Sequence, residues 1–330
     1  MIQAATTLKN TDKLLISVVI PTCKRPELLA KCLRALNRQS IPKELFEVIV
    51  VHDGPDTATE NKIKRSFPEV RYYSLKENKG PAAARNYGWL NAKGSLIAFT
   101  DDDCLPDKNW LIDICSVYNN ETEIAYTGRV RVPLPDSPTD FELNTARLAE
   151  AEFITANCIC TKAALLKVGG FDERFRMAWR EDSDLEFKLL SENIPIVNLK
   201  NALVVHPVRK APWGISIKEQ KKGMFNALLY KKFPFLYRQR IGDAPPVSYY
   251  LMIILFIGMI YGMVTPGPFT LEITVTGYSV LFLLLAFKRL KYTSRRVDHV
   301  AEMVITSMII PFLSVYWQWY GAFKYRVLFI

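Results

Sequence analysis

Three consecutive carboxylates, Asp101, Asp102 and Asp103, are the residues with the clearest capacity for chemistry in this sequence. They directly follow an apolar run, and adjacent carboxylates repel one another unless something positive joins them. A divalent cation, Mn²⁺ or Mg²⁺, would do so, and these ions are commonly held by one or two carboxylates together with phosphate oxygens of a substrate. The alternative is that the triplet is an acidic cap for a helix over Asp107–Tyr118, where the helix dipole favours negative charge.

The segments that must position this triplet alternate between strand-like and helical patterns. The predicted strands are Leu14–Ile20, Phe46–Val51, Val70–Leu75 and Ser95–Thr100. The predicted helices between them are Pro26–Arg38, Thr57–Phe67 and Pro81–Ala92. A βαβαβαβ order indicates an α/β fold with a mostly parallel, doubly wound sheet, in which ligands bind beyond the carboxyl ends of the strands. The sequence has no G-x-G-x-x-G and no P-loop motif, which disfavours both kinds of nucleotide site.

Composition and charge exclude several classes of protein. With 330 residues, 49% of them hydrophobic, and six cysteines, the chain is not a disordered tail, a collagen-like repeat or a disulfide scaffold. Residues 1–204 carry 27 basic and 28 acidic side chains, whereas residues 205–330 carry 16 and 5. Because the positive excess lies only in the C-terminal part, nucleic acid is not expected as a partner. The cysteines show no zinc-site spacing, so no structural metal or disulfide is expected.

Hydropathy explains the basic C-terminal part. The stretches 247–265 and 269–287 are long and apolar enough to cross a bilayer, and Pro266-Gly267-Pro268 would join them as a hairpin. A third stretch, 300–323, contains Glu302 and Pro311 and ends in an aromatic run, so it either spans the membrane or lies in its interface. We therefore predict a first domain over 1–210, a basic connector over 211–246 and a membrane domain over 247–330.

The distribution of Lys and Arg predicts the orientation. Basic residues cluster before the first span and between the second and third, and the positive-inside rule makes that side cytoplasmic. Residues 1–13 are polar and do not resemble a signal peptide, so the first domain is expected to stay in the cytosol. The predicted location is the cytoplasmic (inner) membrane, with several passes and a cytosolic catalytic domain.

Six segments together resemble the family-2 glycosyltransferases with the GT-A fold. They are SVVIPTCKRPELLAKCLRAL (17–36), EVIVVHDGPD (47–56), ENKGPAAARNYG (77–88), SLIAFTDDDCLPDKNWL (95–111), VGGFDERF (168–175) and REDSDLEFKLL (180–190). They occur in the order of the family over about 175 residues. The resemblance implies a GT-A domain that transfers a sugar from a nucleotide-sugar donor with Mn²⁺ or Mg²⁺.

The resemblance also implies roles for individual residues. Those expected to bind the nucleotide sugar are Pro21, Thr22, Arg25, Asp53, Gly80, Arg85, Asp101 and Asp102. His52 stands where many relatives have a second aspartate and is a candidate contact to the nucleotide. Asp101-Asp102-Asp103 looks like the DxD element of the family, so Asp103 would coordinate the cation and Asp101 would contact ribose or the cation. His206 matches an additional metal ligand of some relatives, with an ordinary histidine at the domain edge as the alternative.

The catalytic base is expected in Trp179-Arg180-Glu181-Asp182, at the start of a helix. A sugar hydroxyl is a weak nucleophile at neutral pH, so a carboxylate must accept its proton as the new bond forms. The resemblance places this base in the Glu-Asp pair, with Asp182 as the first choice and Glu181 as the second. Trp179 and Asn157 are the candidate acceptor contacts, although Trp179 is equally well explained as a core residue.

The sequence departs from the processive members of the family. Those members carry a Q-x-x-R-W element before the membrane segments, whereas this sequence has Gln220-Lys221-Lys222-Gly223-Met224. The predicted spans are also too few for a polymer channel. We therefore expect single additions by an inverting enzyme that uses a donor such as a UDP-sugar. The expected acceptor is a lipid-linked or membrane-proximal saccharide, and the basic residues would bind membrane lipids.

Two alternative functions are compatible with the same residues. One is transfer of a sugar to a polyprenyl phosphate, which is already anionic and needs no base. The other is a membrane-anchored protein that binds nucleotide sugars without turnover.

Overall fold

The structure is a computed structural model that describes residues 15–242, 247–265 and 268–329. The chain divides into two compact units. The first contains the described residues up to Pro133 together with Ala146–Val208, and the second contains Leu134–Thr145 together with the described residues from Arg209 onward. Each unit is described separately below.

The first unit is an α/β domain. Its strands are β1 (Ile16–Thr22), β2 (Phe46–His52), β3 (Arg71–Ser74), β4 (Leu96–Phe99), β5 (Leu105–Pro106), β6 (Ala125–Arg131), β7 (Cys158–Thr161) and β8 (Ile196–Val205). Its helices are α1 (Pro26–Leu36), α2 (Thr57–Ser66), α3 (Pro81–Leu90), α4 (Trp110–Cys115), α6 (Lys162–Val168) and α7 (Glu181–Ser191); α5 (Asp140–Ala146) lies almost entirely in the second unit. Short 3₁₀ turns cover Lys43–Leu45, Arg147–Glu150 and Thr155–Asn157.

The sheet is parallel in its first half and mixed in its second. The strand order is β3-β2-β1-β4-β7-β6-β8-β5. Strands β1 to β4 pair in parallel, which confirms the βαβαβαβ prediction, whereas β7 is antiparallel to both of its neighbours, β4 and β6. The chain reaches β7 from β6 through α5 and two 3₁₀ turns, and β6 and β7 pair in antiparallel register.

Strand β1 lies in the middle of the sheet and is buried along its whole length. Alternate residues face opposite sides, so Val18 and Ile20 belong to one hydrophobic cluster and Val19 to the other. The strand extends through Pro21 to Thr22, beyond the predicted end at Ile20. Pairing with β4 stops at Val19, so the missing N–H of Pro21 does not interrupt a ladder on that side. The predicted first residue, Leu14, lies outside the described residues.

The loops at the carboxyl ends of the strands are shaped by local signals in the sequence. Helix α2 begins after Asp56, whose carboxylate accepts hydrogen bonds from the backbone N–H groups of Ala58 and Thr59. Helix α3 begins at Pro81, directly after Gly80 in a positive-φ conformation. Helix α4 begins only at Trp110, after the short strand β5. The acidic triplet therefore lies outside the first turn of α4, and the interpretation of the triplet as a cap of that helix is wrong.

The second unit is helical. Its further helices are α8 (Ile215–Glu219), α9 (Met224–Lys232), α10 (Pro234–Arg240), α11 (Val247–Val264), α12 (Pro268–Leu290) and α13 (Val297–Tyr325), with a 3₁₀ turn over Gln220–Gly223. The last three contain segments that are long and apolar enough to cross a membrane. Helices α11 and α12 pack closely as an antiparallel pair in which Gly258 faces Thr274. Of the predicted turn between them, Pro266 and Gly267 lie outside the described residues, as do residues 1–13, where no signal peptide was expected.

Candidate functional site

The candidate site lies at the carboxyl ends of the parallel strands. Thr22 ends β1 and pairs in register with His52, which ends β2, and the acidic triplet follows β4 after one residue. Because parallel strands end at one edge of the sheet, the loops that follow them meet there. The sequence-predicted residues that follow β1, β2 and β4 are therefore brought to one edge.

Asp102 is the innermost carboxylate of the triplet. It accepts a 2.6 Å hydrogen bond from Thr22 Oγ1 and forms a 3.0 Å ion pair with Nε of Arg25. Burial raises the pKa of Asp102 to about 7, although the Arg25 charge opposes that shift. Thr22 and Arg25, both predicted to bind the nucleotide, are thus engaged with the acidic triplet in this structure. Pro21 is buried at the end of β1 beside them.

Asp101 faces a different cation. Its Oδ1 accepts a 2.7 Å hydrogen bond from Nη2 of Arg85. Burial would raise the pKa of Asp101, but the charge and hydrogen bond of Arg85, together with the charge of Arg25, oppose burial, and the pKa is lowered. Asp101 is therefore held as a carboxylate, which is the state needed to coordinate a cation or to accept a hydroxyl hydrogen bond.

Asp101, Asp103, Cys104 and His206 form a group that fits a metal ion. Each offers one ligand atom, and these atoms all lie within 4.8 Å of one another. Nε2 of His206 lies 3.7 Å from Oδ1 of Asp103, and Nδ1 is buried without a hydrogen-bond partner in the described part of the chain. Two carboxylates and an imidazole suit Mn²⁺ or Mg²⁺. Burial raises the pKa of the Cys104 thiol well above its ordinary value, so the oxygen and nitrogen atoms are the favoured ligands.

Arg85 joins the acidic triplet to the second predicted constellation. It is 2% exposed on α3, and its Nη1 lies 3.1 Å from Oε1 of Glu181 while its Nη2 binds Asp101. The helix that carries Glu181 and the loop that carries Asp101 are thereby fixed to one guanidinium group. Arg85 was expected to bind the nucleotide, and no local pattern in the sequence indicated this bridge.

Glu181 and Asp182, adjacent in the chain, have different surroundings. Glu181 is 3% exposed, and burial together with the neighbouring Asp182 charge raises its pKa to about 7. Asp182 is half-buried, and its Oδ1 accepts a hydrogen bond from the backbone N–H of Ser183. Burial raises the pKa of Asp182 as well. Only Asp182 of the pair is open enough to meet an acceptor hydroxyl.

Asp53 and Gly80 shape the loop before α3. The two carboxylate oxygens of Asp53 accept hydrogen bonds from the backbone N–H groups of Lys79 and Gly80, at 2.7 and 2.9 Å. Gly80 has φ +94°, and a Cβ there would lie 2.5 Å from the carbonyl oxygen of Arg176. Both the backbone conformation and the space therefore require glycine. The structure engages Asp53 with its own loop, where the sequence suggested a contact to the nucleotide.

His52 also differs from its prediction. Its ring is completely buried; Nε2 accepts a hydrogen bond from the backbone N–H of Lys24, and Nδ1 lies 2.6 Å from the carbonyl oxygen of Gly54. With Nδ1 protonated, both ring nitrogens are satisfied within the chain. His52 thus holds Lys24 in its positive-φ conformation and has no free nitrogen for a nucleotide.

Asn157 and Trp179, the predicted acceptor contacts, are placed differently. Asn157 is fully buried; its Nδ2 donates to the carbonyl oxygens of Arg129 and Ala202, and its Oδ1 accepts from Nε1 of Trp110. Its amide is therefore occupied by the interior, which corrects the predicted contact to the acceptor. Trp179 is 40% exposed beside Arg180, whose guanidinium lies 4.8 Å from the ring centroid. Core packing is therefore the wrong alternative for Trp179.

Sequence analysis missed the role of Asn86. Its Oδ1 accepts hydrogen bonds from the backbone N–H of Phe171 and from Nε1 of Trp89, and its Nδ2 donates to the carbonyl oxygen of Phe171. This side chain fixes the Gly169-Gly170-Phe171 loop to α3. The only signal in the sequence was its position directly after Arg85 in a segment already assigned to the site.

The sequence is similar to those of known glycosyltransferases. Residues 17–175 match the family model described as glycosyl transferase family 2. Glycosyltransferase AglE of Haloferax volcanii is 34% identical over 132 residues, which are 38% of this chain and 43% of that protein. Validoxylamine A glucosyltransferase of Streptomyces hygroscopicus subsp. limoneus is 27% identical over 247 residues, 63% of this chain and 52% of that one. The chain thus spans about half the length of these curated relatives.

A solved structure supports the fold. The mannosyltransferase PcManGT of Pyrobaculum calidifontis, solved with GDP-Man and Mn²⁺, superposes with a TM-score of 0.52 at 17% identity. The superposition covers 98% of this chain and 92% of that one. We conclude that residues 17–175 form a glycosyl transferase family 2 domain with the GT-A fold.

Proposed function

We propose that this protein is a cation-dependent inverting glycosyltransferase. It would transfer a sugar from a nucleotide-diphosphate donor, most simply a UDP-sugar, to a hydroxyl of a lipid-linked or membrane-proximal saccharide. The observation that carries the proposal is the Arg85 bridge, which fixes the Asp101 loop and the helix of Asp182 to one guanidinium group. A donor-side group and an acceptor-side base are thereby held at one edge of the sheet.

The donor side rests on the charge of the site. Five carboxyl groups, at positions 101, 102, 103, 181 and 182, face the guanidinium groups of Arg25 and Arg85. Asp101, Asp103 and His206 would hold the Mn²⁺ or Mg²⁺. When bound, that cation would neutralise charge on the diphosphate. A GT-A mannosyltransferase solved with GDP-Man and Mn²⁺ makes nucleotide-diphosphate sugars with Mn²⁺ the first donors to test.

The acceptor side rests on Asp182. Its carboxylate would accept the proton of the acceptor hydroxyl while the oxygen forms its bond to the anomeric carbon. The bond between that carbon and the diphosphate oxygen breaks on the opposite face, and its electron pair leaves with the diphosphate. One displacement of this kind inverts the configuration at the anomeric carbon. Glu181, paired with Arg85, would position Asp182 without touching the acceptor.

The membrane placement rests on the apolar helices of the second unit. We place α11 and α12 across the cytoplasmic membrane as a hairpin, with the basic residues that flank it on the cytosolic side. The catalytic domain precedes the hairpin and would therefore face the cytosol, where nucleotide sugars are made. The basic connector would bind anionic lipid headgroups.

The test is the Asp182→Asn protein, assayed with a panel of nucleotide sugars and saccharide acceptors. Loss of the base should lower turnover by about 10²–10⁴-fold and leave donor binding unchanged. Glu192→Gln, an exposed carboxylate just after the same helix, is the matched control and should keep full turnover. Normal turnover of Asp182→Asn with a saccharide would contradict the base assignment. Normal turnover with a polyprenyl phosphate would instead reassign the acceptor, since that acceptor is already anionic.

A further inference from the structure

Helix α13 has two distinct faces over its whole length. The buried residues recur at spacings typical of one helix face, and they are His299, Met303, Thr306, Ser307, Ile310, Pro311, Gln318 and Gly321. Between the charged residues Asp298 and Lys324, which are exposed at its two ends, the large exposed residues are apolar or aromatic, and they are Val304, Ile305, Met308, Ile309, Tyr316, Trp319, Tyr320 and Phe323. Of the three apolar helices, α13 is 28% buried in its most apolar window, against 6% for each of the other two. It is therefore covered by protein on one side.

The buried face of α13 packs against a basic segment that runs parallel to it, from Gly214 at the start of α8 to the end of α9. Near the start of α13, the backbone N–H of Gly214 donates to the carboxylate of Glu302. Further along, the Lys221 ammonium lies 5.6 Å from the Trp317 ring centroid, and at the end of α13 Lys231 donates to the carbonyl oxygen of Tyr325. If α13 crossed the bilayer, this segment would be drawn through the hydrocarbon with it. A lysine at the centre of a bilayer is energetically costly.

The contacts of α13 with the α11–α12 pair indicate its direction. Thr306 accepts a 2.7 Å hydrogen bond from Arg289, and Arg289 lies beside Tyr249 in the first turn of α11. Trp319 lies beside Tyr250, the next residue of α11. Thr306 and Trp319 are thirteen residues apart, about 20 Å along a helix. Both nevertheless meet the same end of the hairpin, so α13 crosses the hairpin instead of running beside it.

Between Thr306 and Trp319, one aromatic side chain of α13 reaches further into the α11–α12 pair. The Phe312 ring lies 5.1 Å from the ring of Phe256, which is six residues further into α11 than Tyr250. A helix that lies across the end of the hairpin can place such a ring among its apolar side chains. The exposed stripe of α13 is then continuous with the apolar surface of α11 and α12.

We infer that α13 lies in the plane of the membrane interface and that the chain crosses the bilayer only twice. The exposed stripe of α13 would rest on the hydrocarbon of one leaflet. The basic residues of α9, α10, the last turn of α12 and the α12–α13 connection would meet anionic headgroups of that leaflet, and they include Lys231, Lys232, Arg238, Arg240, Lys288 and Lys291. This inference rests on the membrane placement in the proposed function.

The first test is the location of the C-terminus. Full-length protein with different epitope tags at its two ends is prepared in sealed inverted membrane vesicles, and a separate portion is washed with carbonate while the sealed portion is kept for proteolysis. Release by carbonate would contradict the membrane placement itself. If the protein is retained, external protease should remove both tags. Removal of the N-terminal tag with protection of the C-terminal tag would mean three crossings and would overturn the inference while leaving the proposed function intact.

The second test measures depth in the membrane. Nitroxide labels are placed on single cysteines in lipid vesicles that contain anionic phospholipid, at positions Ile305, Ile309, Tyr316 and Phe323 of α13. All four labels should report nearly the same shallow depth. Matched labels at Val275, Val280 and Leu284 of α12 should show a gradient of about 13 Å, because a spanning helix rises about 1.5 Å per residue. A comparable gradient of depth along α13 would overturn the inference. Labels that are shielded from lipid by a second copy of the chain would also overturn it, because the exposed stripe would then contact protein.

Discussion

Arg85 donates a 2.7 Å hydrogen bond to Asp101 from a position that is almost completely buried. The same guanidinium reaches Glu181, 96 residues further along the chain. A buried arginine requires anionic partners, and these two lie on the loops that the proposed reaction needs to bring together. Arg85 is therefore both a structural bridge and the group that sets the charge balance of the site.

The Arg85→Ala protein should be strongly destabilised. Removal of the guanidinium leaves Glu181 buried without its cation, which typically costs about 3–5 kcal/mol. Arg71→Ala is the matched control, because Arg71 pairs with Glu47 at a more exposed position, and its loss should cost about 1 kcal/mol or less. Thermal unfolding of the purified protein in detergent compares the two variants. Equal shifts in the melting temperature would contradict the importance of the buried bridge.

Turnover should fall at acidic pH. The base must be deprotonated to accept a proton, and burial raises the pKa of Asp182 above its ordinary value. The acidic limb of activity should therefore lie at a higher pH than the titration of an ordinary aspartate. In Glu181→Gln a neighbouring negative charge is lost, so the pKa of Asp182 should decrease and the acidic limb should move to lower pH. The measurement is kcat against pH, and a limb that stays in place or moves upward would refute the assignment.

Donor binding should require Asp103. The Asp103→Asn protein should bind UDP or GDP at least about tenfold more weakly in the presence of Mn²⁺, with little change in the presence of chelator, because the cation links protein and diphosphate. Asp113→Asn, a half-buried aspartate on α4, should bind as the unmodified protein does. Isothermal titration calorimetry with and without Mn²⁺ provides the readout. Unchanged cation-dependent binding in Asp103→Asn would exclude this residue as a ligand.

Substitution of Asn157 should affect stability, whereas substitution of Trp179 should affect activity toward the acceptor. Asn157→Ala removes the partners of two buried carbonyl groups and one indole N–H, and each such loss costs about 1–3 kcal/mol, so the melting temperature should drop. Trp179→Ala should leave the melting temperature nearly unchanged and lower kcat/KM for a saccharide acceptor about tenfold, since an exposed aromatic face can stack on a sugar. The opposite pattern in the two variants would reverse their roles.

Several features were predictable from local sequence alone. The buried run of β1 and the alternation of strands and helices up to the acidic triplet follow from periodicity, which depends on neighbouring residues. The three apolar segments also follow from composition along the chain. The candidate site residues could be identified from the resemblance to the family, because each motif of the family is a continuous stretch of sequence.

Other features depend on partners far apart in the chain. His52 and Asp53 stand at the expected strand end, yet their polar atoms are taken by Lys24, Gly54, Lys79 and Gly80. Asn157 is polar and was a candidate contact to the acceptor, but its amide is enclosed between β6 and β8. A local sequence pattern does not indicate which distant groups will form hydrogen bonds with these polar side chains.

A family-2 α/β domain followed by apolar helices can be recognised from local sequence, because hydrophobic periodicity and contiguous motifs depend on neighbouring residues. Only the tertiary structure decided that Arg85 joins Asp101 to Glu181, that Asp182 is the open member of its pair, and that Thr306 and Trp319 meet one end of a hairpin. The physical reason is that burial, charge pairing and helix direction arise from contacts between distant segments, which exist only once the chain has folded.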